Sequence, residues 1–583
     1  MLHLITTADE RTYNFEKSVL FLGEWCKPYQ KKNIWLKYNT ITAEPFGIGL
    51  ENKKSNISIV QNLHKEFIIL LSARLNELNN TNFSERYYNI LLGHWLYRYL
   101  CVLFNRFYTI EQTFSKYKIS STCRIELGYN YDFATNDSQD FLNIVNDDLW
   151  NHNLYLRIIE FKEYDISINK IQSQHNYESL NKPNSSVYKK IKGTLIFIYN
   201  NCSKLFIRNT DAFIINSYLP RIQELKLQIA LFQFPALWRS PKIPYFEKNF
   251  GLRNIANNFI SKEKNFENFA KSLLFEMIPK CYLEGSVYIM SECQKINWPK
   301  YPKFILTSNN FDTDEFFKYW TASKVDQGFS YYVCQHGNNY GTYFGNENWP
   351  ERVTPDRFIT WGWGSLNSNT TKGFNFKIVK KITFNSKKSD KIYLILLHQP
   401  YRCHPEDNYF EFTQYQEDQF CFVQAISNEV KSNLLIRLHS SSVNFNWSEN
   451  QRWKDFDDKL NIIKSDVSFH QILLQSRVLV FSYDSTGFLE ALMLNKPTIA
   501  FWRDENNNLI YEVIEYYNEL MEAKILFSNP VEAAEFISDN WNKIDDWWSS
   551  DFVQYVRTKF CNEFSKFENK PVKKLLEIIN NHD

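Results

Sequence analysis

Short apolar runs closed by polar turns alternate along this chain with stretches where apolar residues recur every three or four positions. That alternation predicts α/β units. The runs Leu2–Ile5 (LHLI) and Val19–Leu22 (VLFL) predict buried strands near the N-terminus. From about Val60 to Tyr117 an aromatic-rich helical pattern takes over. A polar stretch near Asn181 predicts a loop, and the segment beginning at Arg221 predicts a helix that ends near Pro235. Strands return at Phe304–Thr307 (FILT), Tyr331–Cys334 (YYVC) and Arg357–Trp361 (RFITW).

A polar, basic segment without periodic pattern follows Gly364 and predicts an interdomain linker. Beyond it the rhythm is clearer. Strands are expected at Ile392–Leu397, Leu434–Leu438, Val478–Ser482 and after Pro497, with helices between them, one opening near Ser485. The chain has 583 residues, more than one core holds. The expected domains are 1–375, Rossmann-like with a helical insertion and on the acceptor side; 376–545, Rossmann-like and nucleotide-sugar-binding; and 546–583, a helical tail.

Composition narrows the function classes. Lys and Arg total 67 against 65 Asp and Glu, so no global footprint for nucleic acid exists. The ten cysteines include no C-x-x-C pair, which argues against a zinc or dithiol site. The N-terminus reads as a strand and a polar turn, not a signal peptide. The most apolar long segment, NILLGHWLYRYLCVLF, is interrupted by His94 and Arg98 and falls short of a membrane span. A cytoplasmic enzyme is expected, with peripheral membrane contact left open.

Ligands of open parallel sheets sit beyond the strand carboxyl ends, so candidates are sought there. Gln335, His336 and Asn339 follow the YYVC strand. Arg437 lies at the end of its strand and His439 just past it, while Ser482, Ser485, Thr486 and Glu490 belong to a strand–turn–helix unit. A helix N-terminus there would attract a phosphate, and Glu490 would reach a ribose. The plain alternative is that Ser485 and Thr486 only cap the helix and His439 is a loop residue. No G-x-G-x-x-G and no P-loop occurs. Asp312 with Glu315 fits a capping box, which leaves Asp314 as the better candidate there for a catalytic carboxylate, with Asp9 and Glu24 competing for the role. Asp9, Arg11, Glu24 and Trp25 follow the two N-terminal strands. Carboxylates, an arginine and His336 in one cleft suit sugar chemistry: a base for an acceptor hydroxyl and a cation for an acidic sugar. His336 itself has a plain reading, in which it only stiffens its loop.

The motifs LHLITTADERT, VLFLGEWC, RYYNILLGHWL, QHGNNYG, DRFITWGWG and DSTGFLEALMLNKPTIAFW resemble the surface-polysaccharide transferases of bacterial O-antigen loci. More remotely the pattern resembles capsule and lipopolysaccharide transferases that use CMP-linked Kdo and related nonulosonic acids. The resemblance implies a GT-B architecture: two Rossmann-like domains facing a cleft, with the nucleotide held by the C-terminal one. His439 and the 482–490 segment would hold CMP, and His336 would face the reacting centre. The remote relatives carry His-Pro where this chain has His439-Ser440. No cofactor and no metal are expected, only a CMP-sugar as co-substrate and a glycan acceptor. A carboxylate nucleophile would make the transfer retaining. Two other classes stand beside this one: a CDP-polyol phosphotransferase of the teichoic-acid type, and a non-catalytic glycan-binding or assembly protein.

Overall fold

The computed structural model describes residues 2–580 apart from 17, 39, 127–131, 173–205, 258, 260, 261, 365–368, 379, 381–388, 440–446, 464–466 and 504–507. The loop expected near Asn181 and much of the expected linker fall outside the described residues.

Among the described residues sixteen strands form three sheets in which every pairing is parallel. The first sheet holds β1 (Leu2–Ile5), β2 (Val19–Phe21), β3 (Thr40–Thr42), β4 (Ile119–Glu126) and β5 (Ser167–Gln172), in the order β3-β2-β1-β4-β5. The second holds β6 (Phe213–Ile215), β7 (Ile305–Thr307), β8 (Tyr331–Cys334), β9 (Arg357–Ile359) and β10 (Thr370–Thr371), ordered β10-β9-β8-β7-β6. The third holds β11 (Ile392–Ile395), β12 (Leu434–Arg437), β13 (Asn461–Ile463), β14 (Val478–Phe481), β15 (Thr498–Phe501) and β16 (Leu526–Phe527), ordered β13-β12-β11-β14-β15-β16. Strands covered on both faces by helices read as continuous apolar runs. Accordingly β8, β11, β14 and β15 are buried at every position.

The α/β class and the parallel sheets match the expectation. The N-terminal span, however, carries two sheets where one was expected. Strand β4 (ISSTCRIE) is mostly polar, and β5 (SINKIQ) has no fully buried residue. Neither shows the apolar run that marks a buried strand.

Helix Glu85–Lys116 joins the three units. Ser84 caps it by accepting from Tyr87 N at 3.1 Å. Its 32 residues span about 48 Å. His94 and Arg98, which interrupt the apolar run in sequence, lie one turn apart and reach the second unit at Glu351 and Asp312. Arg106 reaches Asn151 of the first unit, and Asn105 donates to the Pro405 carbonyl of the third. These polar groups sit on a helix buried inside the protein. That burial is why its apolar length is not membrane-spanning, and no helix among the described residues is long and apolar enough to cross a membrane.

The C-terminal helices return from the third unit to the second. Helix Asp551–Phe564 packs on helix Thr486–Met493 through Phe560 against Phe488, and Arg557 donates to the Leu492 carbonyl at 2.9 Å. The chain then hydrogen-bonds from Lys566 N to Trp361 O at 2.7 Å, and helix Pro571–Asn580 packs on helix Arg221–Ala230.

Candidate active site

The third sheet reverses strand order between β11 and β14, and a doubly wound sheet binds ligands outside the strand ends at such a point. Three features converge there. His398 follows β11, His439 follows β12, and the Ser482–Ser485 turn follows β14 and opens helix Thr486–Met493. The His398 and His439 rings meet edge to face at 4.8 Å. Burial, then the neighbouring His398 and Arg437, push the His439 imidazole down to about 4, so it is neutral at pH 7. Arg437 is only part-buried, yet its Nε is buried and has no partner among the described residues.

The carboxyl end of the second sheet closes onto the same turn. Asn338 N donates to Thr486 Oγ1 at 3.1 Å, and Asn338 Nδ2 donates to Asp484. Asp484 also accepts from Tyr517 OH at 2.6 Å, and burial raises its carboxyl to about 6. The loop carrying His336 and the helix N-terminus of the third unit are therefore in direct contact. Two parallel α/β units meet strand end to strand end across a cleft, a GT-B-like arrangement.

His336 sits in an aromatic cage of Tyr218, Phe311 and Tyr340, whose ring centroids lie 6.0, 5.8 and 5.3 Å away. Its Nδ1 is 3.1 Å from Tyr340 OH, and that hydroxyl donates to Glu351 Oε1 at 3.0 Å. The other Glu351 oxygen pairs with His94 Nε2 at 2.8 Å. Burial pushes the Glu351 carboxyl up, but the adjoining His94 outweighs it and holds it below its usual range. An ionised carboxylate only accepts, so Tyr340 gives its single proton to Glu351. The His336–Tyr340 bond then requires Nδ1 to carry the imidazole proton. The Nε2 lone pair is left without a partner among the described residues. Burial lowers the His336 pKa against the raising effect of Glu351 and Asp312, so the ring is a neutral base.

Several expected site residues have other work. Asp314 is the N-cap of helix Glu315–Asp326: it accepts from Phe317 N at 3.1 Å and also holds Ser240 and Asn310. The cap thus lies two residues beyond the Asp312 read as the start of a capping box, and Phe317 at the third helical position cannot complete a box. Asp312 instead pairs with Arg98 at 2.6 Å; burial raises its carboxyl, and the Arg98 charge overrides that and lowers it strongly. Glu315 is buried in an ion pair with Lys318 at 2.9 Å. Gln335 has both side-chain polar atoms engaged within the protein. Its oxygen accepts from Trp361 N and Trp363 Nε1 at 2.9 and 2.8 Å, and its nitrogen holds the Gly337 carbonyl at 2.7 Å. Ser482 donates to the Ile395 carbonyl and pairs with Tyr415 OH at 2.7 Å. Ser485 caps Phe488 N at 3.1 Å. Glu490 pairs with Lys377 at 3.4 Å. Asn339 takes the turn conformation, φ 74°, and its buried Oδ1 has no partner among the described residues.

The N-terminal candidates lie at the end of the first sheet. Asp9 caps a short turn and grips Arg11, Glu24 pairs with Lys27 at 2.8 Å, and Trp25 donates to the Thr6 carbonyl at 2.9 Å under the Arg402 guanidinium. The four candidates follow strands of the first sheet, whereas His336 follows β8 of the second.

Sequence reading missed Tyr340, Glu351, His94, His398 and Lys377. His398 follows a strand, the same signal that singled out His336. His94 and Arg98 stood out as polar residues four apart in an apolar helix. Lys377 lies 5.1 Å from the Tyr218 ring, beside Glu490 and near His336. Among the described residues no group of three His, Cys, Asp or Glu is arranged to hold a metal ion.

Fold and site together define a parallel α/β protein in which the loop of a positioned histidine meets the helix start at the third sheet's switch point. The chain belongs to the LIC12162 family of transferases, whose family model matches residues 2–579. No curated protein sequence matches it. Among solved structures it is similar to a candidate UDP-N-acetylglucosamine 2-epimerase from Listeria monocytogenes. The identity there is 12%, over 61% of this chain and 95% of that one, with a TM-score of 0.35, too low to bear on fold or chemistry.

Proposed function

We propose that the protein is a GT-B glycosyltransferase that moves a nonulosonic-type sugar (Kdo, pseudaminic, legionaminic or sialic acid class) from a CMP-activated donor to a bacterial surface glycan. The observation that carries the reading is the contact between the QHG loop and the start of helix Thr486–Met493. It sets a neutral histidine, with Nε2 unpartnered among the described residues, beside a helix N-terminus at the sheet's switch point.

On this reading the acceptor hydroxyl gives its proton to His336 Nε2 as its oxygen bonds to the anomeric carbon of the donor. The glycosyl–phosphate bond breaks, and CMP leaves with the bonding electrons. The charge growing on the phosphate is met by the helix N-terminus and by Arg437, with Lys377 as the nearest cation on the His336 side. His439, neutral, donates a hydrogen bond rather than a charge. The Glu351–Tyr340 pair holds the base in its tautomer, and imidazolium formation is favoured by Glu351 and Asp312 nearby.

CMP release from CMP-Kdo, CMP-pseudaminate, CMP-legionaminate and CMP-sialate, each with a glycan acceptor, tests the reading. Turnover of one of these, lost in His336→Ala, is the expected result. Turnover of UDP- or GDP-sugars alone would overturn the donor assignment. A phosphodiester product would point to polyol-phosphate transfer, and glycan binding without any turnover to a binding protein.

A further inference from the structure

An exposed apolar ridge on the second unit is built to meet a surface. Helix Arg221–Ala230 presents Ile222 and Ile229 two turns apart on one face, 69% and 59% exposed. Just past its end Phe232 is 88% exposed, and Phe206 and Phe234 stack beside it at 5.0 Å. Soluble proteins scatter single apolar residues on their surface, but a contiguous patch marks an interaction site.

Phe232 occupies the left-handed position that closes the helix. Its φ is 58°, a left-handed conformation that bulky residues rarely adopt. Three hydrogen bonds fix it there: Phe232 N to Ile229 O at 2.9 Å, Gln233 N to Gln228 O at 3.1 Å, and Arg208 to the Phe232 carbonyl. These bonds are the usual left-handed close of a helix, satisfying its last carbonyls, and a phenylalanine at that position leaves its ring in solvent.

The charge around the ridge selects the partner. Between Phe206 and Tyr245 the chain carries Arg208, Arg221, Lys226, Arg239 and Lys242 against two acids, Asp211 and Glu224. Both acids turn inward: Asp211 is buried against Arg208, and Glu224 accepts from Ser217. Lys226 stands exposed between the two isoleucines. Helix Pro571–Asn580, packed on this helix, adds Lys573 and Lys574, which share the single carboxylate of Glu577 at 3.9 and 3.4 Å, and Lys570 precedes it. Apolar side chains flanked by cations fit the boundary between acyl chains and anionic headgroups.

We infer that this ridge docks the protein on an anionic membrane surface, with Ile222, Ile229 and Phe232 entering the headgroup region and the surrounding cations facing lipid phosphates. The helix starts three residues after Tyr218, whose ring faces His336 at 6.0 Å. Its ten residues span about 15 Å, so a membrane-anchored acceptor would be presented close to the cleft.

Co-sedimentation of the full chain with vesicles tests the inference and needs no nucleotide or acceptor, so its outcome is separate from the donor reading. Binding is expected to vesicles with about 30% phosphatidylglycerol and not to phosphatidylcholine alone, and to weaken as salt rises. The triple variant Ile222→Ser, Ile229→Ser, Phe232→Ser is expected to lose at least about tenfold in partitioning, and Arg221→Glu with Lys226→Glu to lose the lipid selectivity. Unchanged melting temperatures would show that the variants fold. Absence of vesicle binding, or binding that the triple variant keeps, would overturn the proposal. So would concentration-dependent self-association in size-exclusion chromatography that the triple variant abolishes, since the ridge would then be an interface between copies.

Discussion

Replacing Tyr340 by phenylalanine removes one oxygen from the centre of the His336 relay and nothing else. Tyr340 is 4% exposed, so no water reaches the site freely to substitute. Two hydrogen bonds vanish, at 3.1 Å to His336 Nδ1 and at 3.0 Å to Glu351. The bond to the carboxylate is worth about 1.5–3 kcal/mol and the neutral one about 0.5–1.5 kcal/mol, so the local loss is about 2–4 kcal/mol. The consequence for chemistry is larger than the loss of packing. The imidazole is free to rotate and to take either tautomer, and a base misplaced by about 1 Å costs about a hundredfold in rate. Removing the base altogether in His336→Gln costs about 10²–10⁴-fold. Tyr340→Phe should therefore lower kcat by about 10–100-fold while leaving KM for the donor little changed. Glu351→Gln separates orientation from charge. Glu351 raises the His336 pKa, so its neutralisation moves the acid limb of kcat/KM to lower pH, whereas Tyr340→Phe keeps the charge and leaves the limb in place. CMP release followed from about pH 5 to pH 8 reads both effects. A folded Tyr340→Phe enzyme with full kcat, or an acid limb that moves upward in Glu351→Gln, would refute the relay.

Gly341→Ala should lower the melting temperature, with a cost of about 1–3 kcal/mol, because a Cβ there would lie 2.4 Å from the Trp363 indole; Gly337→Ala should fold normally, since its Cβ meets only Thr486 Oγ1 at 3.4 Å. Glu449 is buried, its Oε1 has no partner among the described residues, and burial raises it to about 8. The folded state then binds the extra proton between about pH 4.5 and pH 8, so stability falls as pH rises through that window. Glu449→Gln should flatten this dependence and gain on the order of 3 kcal/mol at pH 7, read as the difference in denaturation between variant and parent. Arg98→Met should leave the Asp312 carboxylate unpaired beside His336, moving its titration upward and destabilising the second unit by about 2–4 kcal/mol; an unchanged melting profile would show that the pair is not structural.

Much of the architecture was legible because parallel strands buried on both faces must be apolar throughout. YYVC, VLVF and TIAF announce themselves, and their ends mark where His336, His439 and the Ser485 cap stand. The first sheet was less legible, since β4 buries Ser121 and Thr122 in place of apolar residues and β5 has no fully buried position to be marked by one. Acidic residues near helix starts were assigned by spacing alone. Spacing allows Asp312 or Asp314 as the cap, and only the backbone path decides that Asp314 caps while Asp312 faces Arg98.

The sequence alone determined the α/β class, the strand-end histidines and the absence of any nucleotide fingerprint built on glycines, because these follow from local pattern. Tertiary structure alone decided which strand ends share a cleft. Asp9 and Glu24 sit at the end of a different sheet from His336, and no periodicity encodes that separation. It decided also that Tyr340, Glu351 and His94 form one hydrogen-bonded line behind the base. Those residues come from a loop, a short helix and a helix some 250 positions earlier in the chain. A hydrogen bond depends on distance in space, and the chain must fold before residues that far apart acquire one.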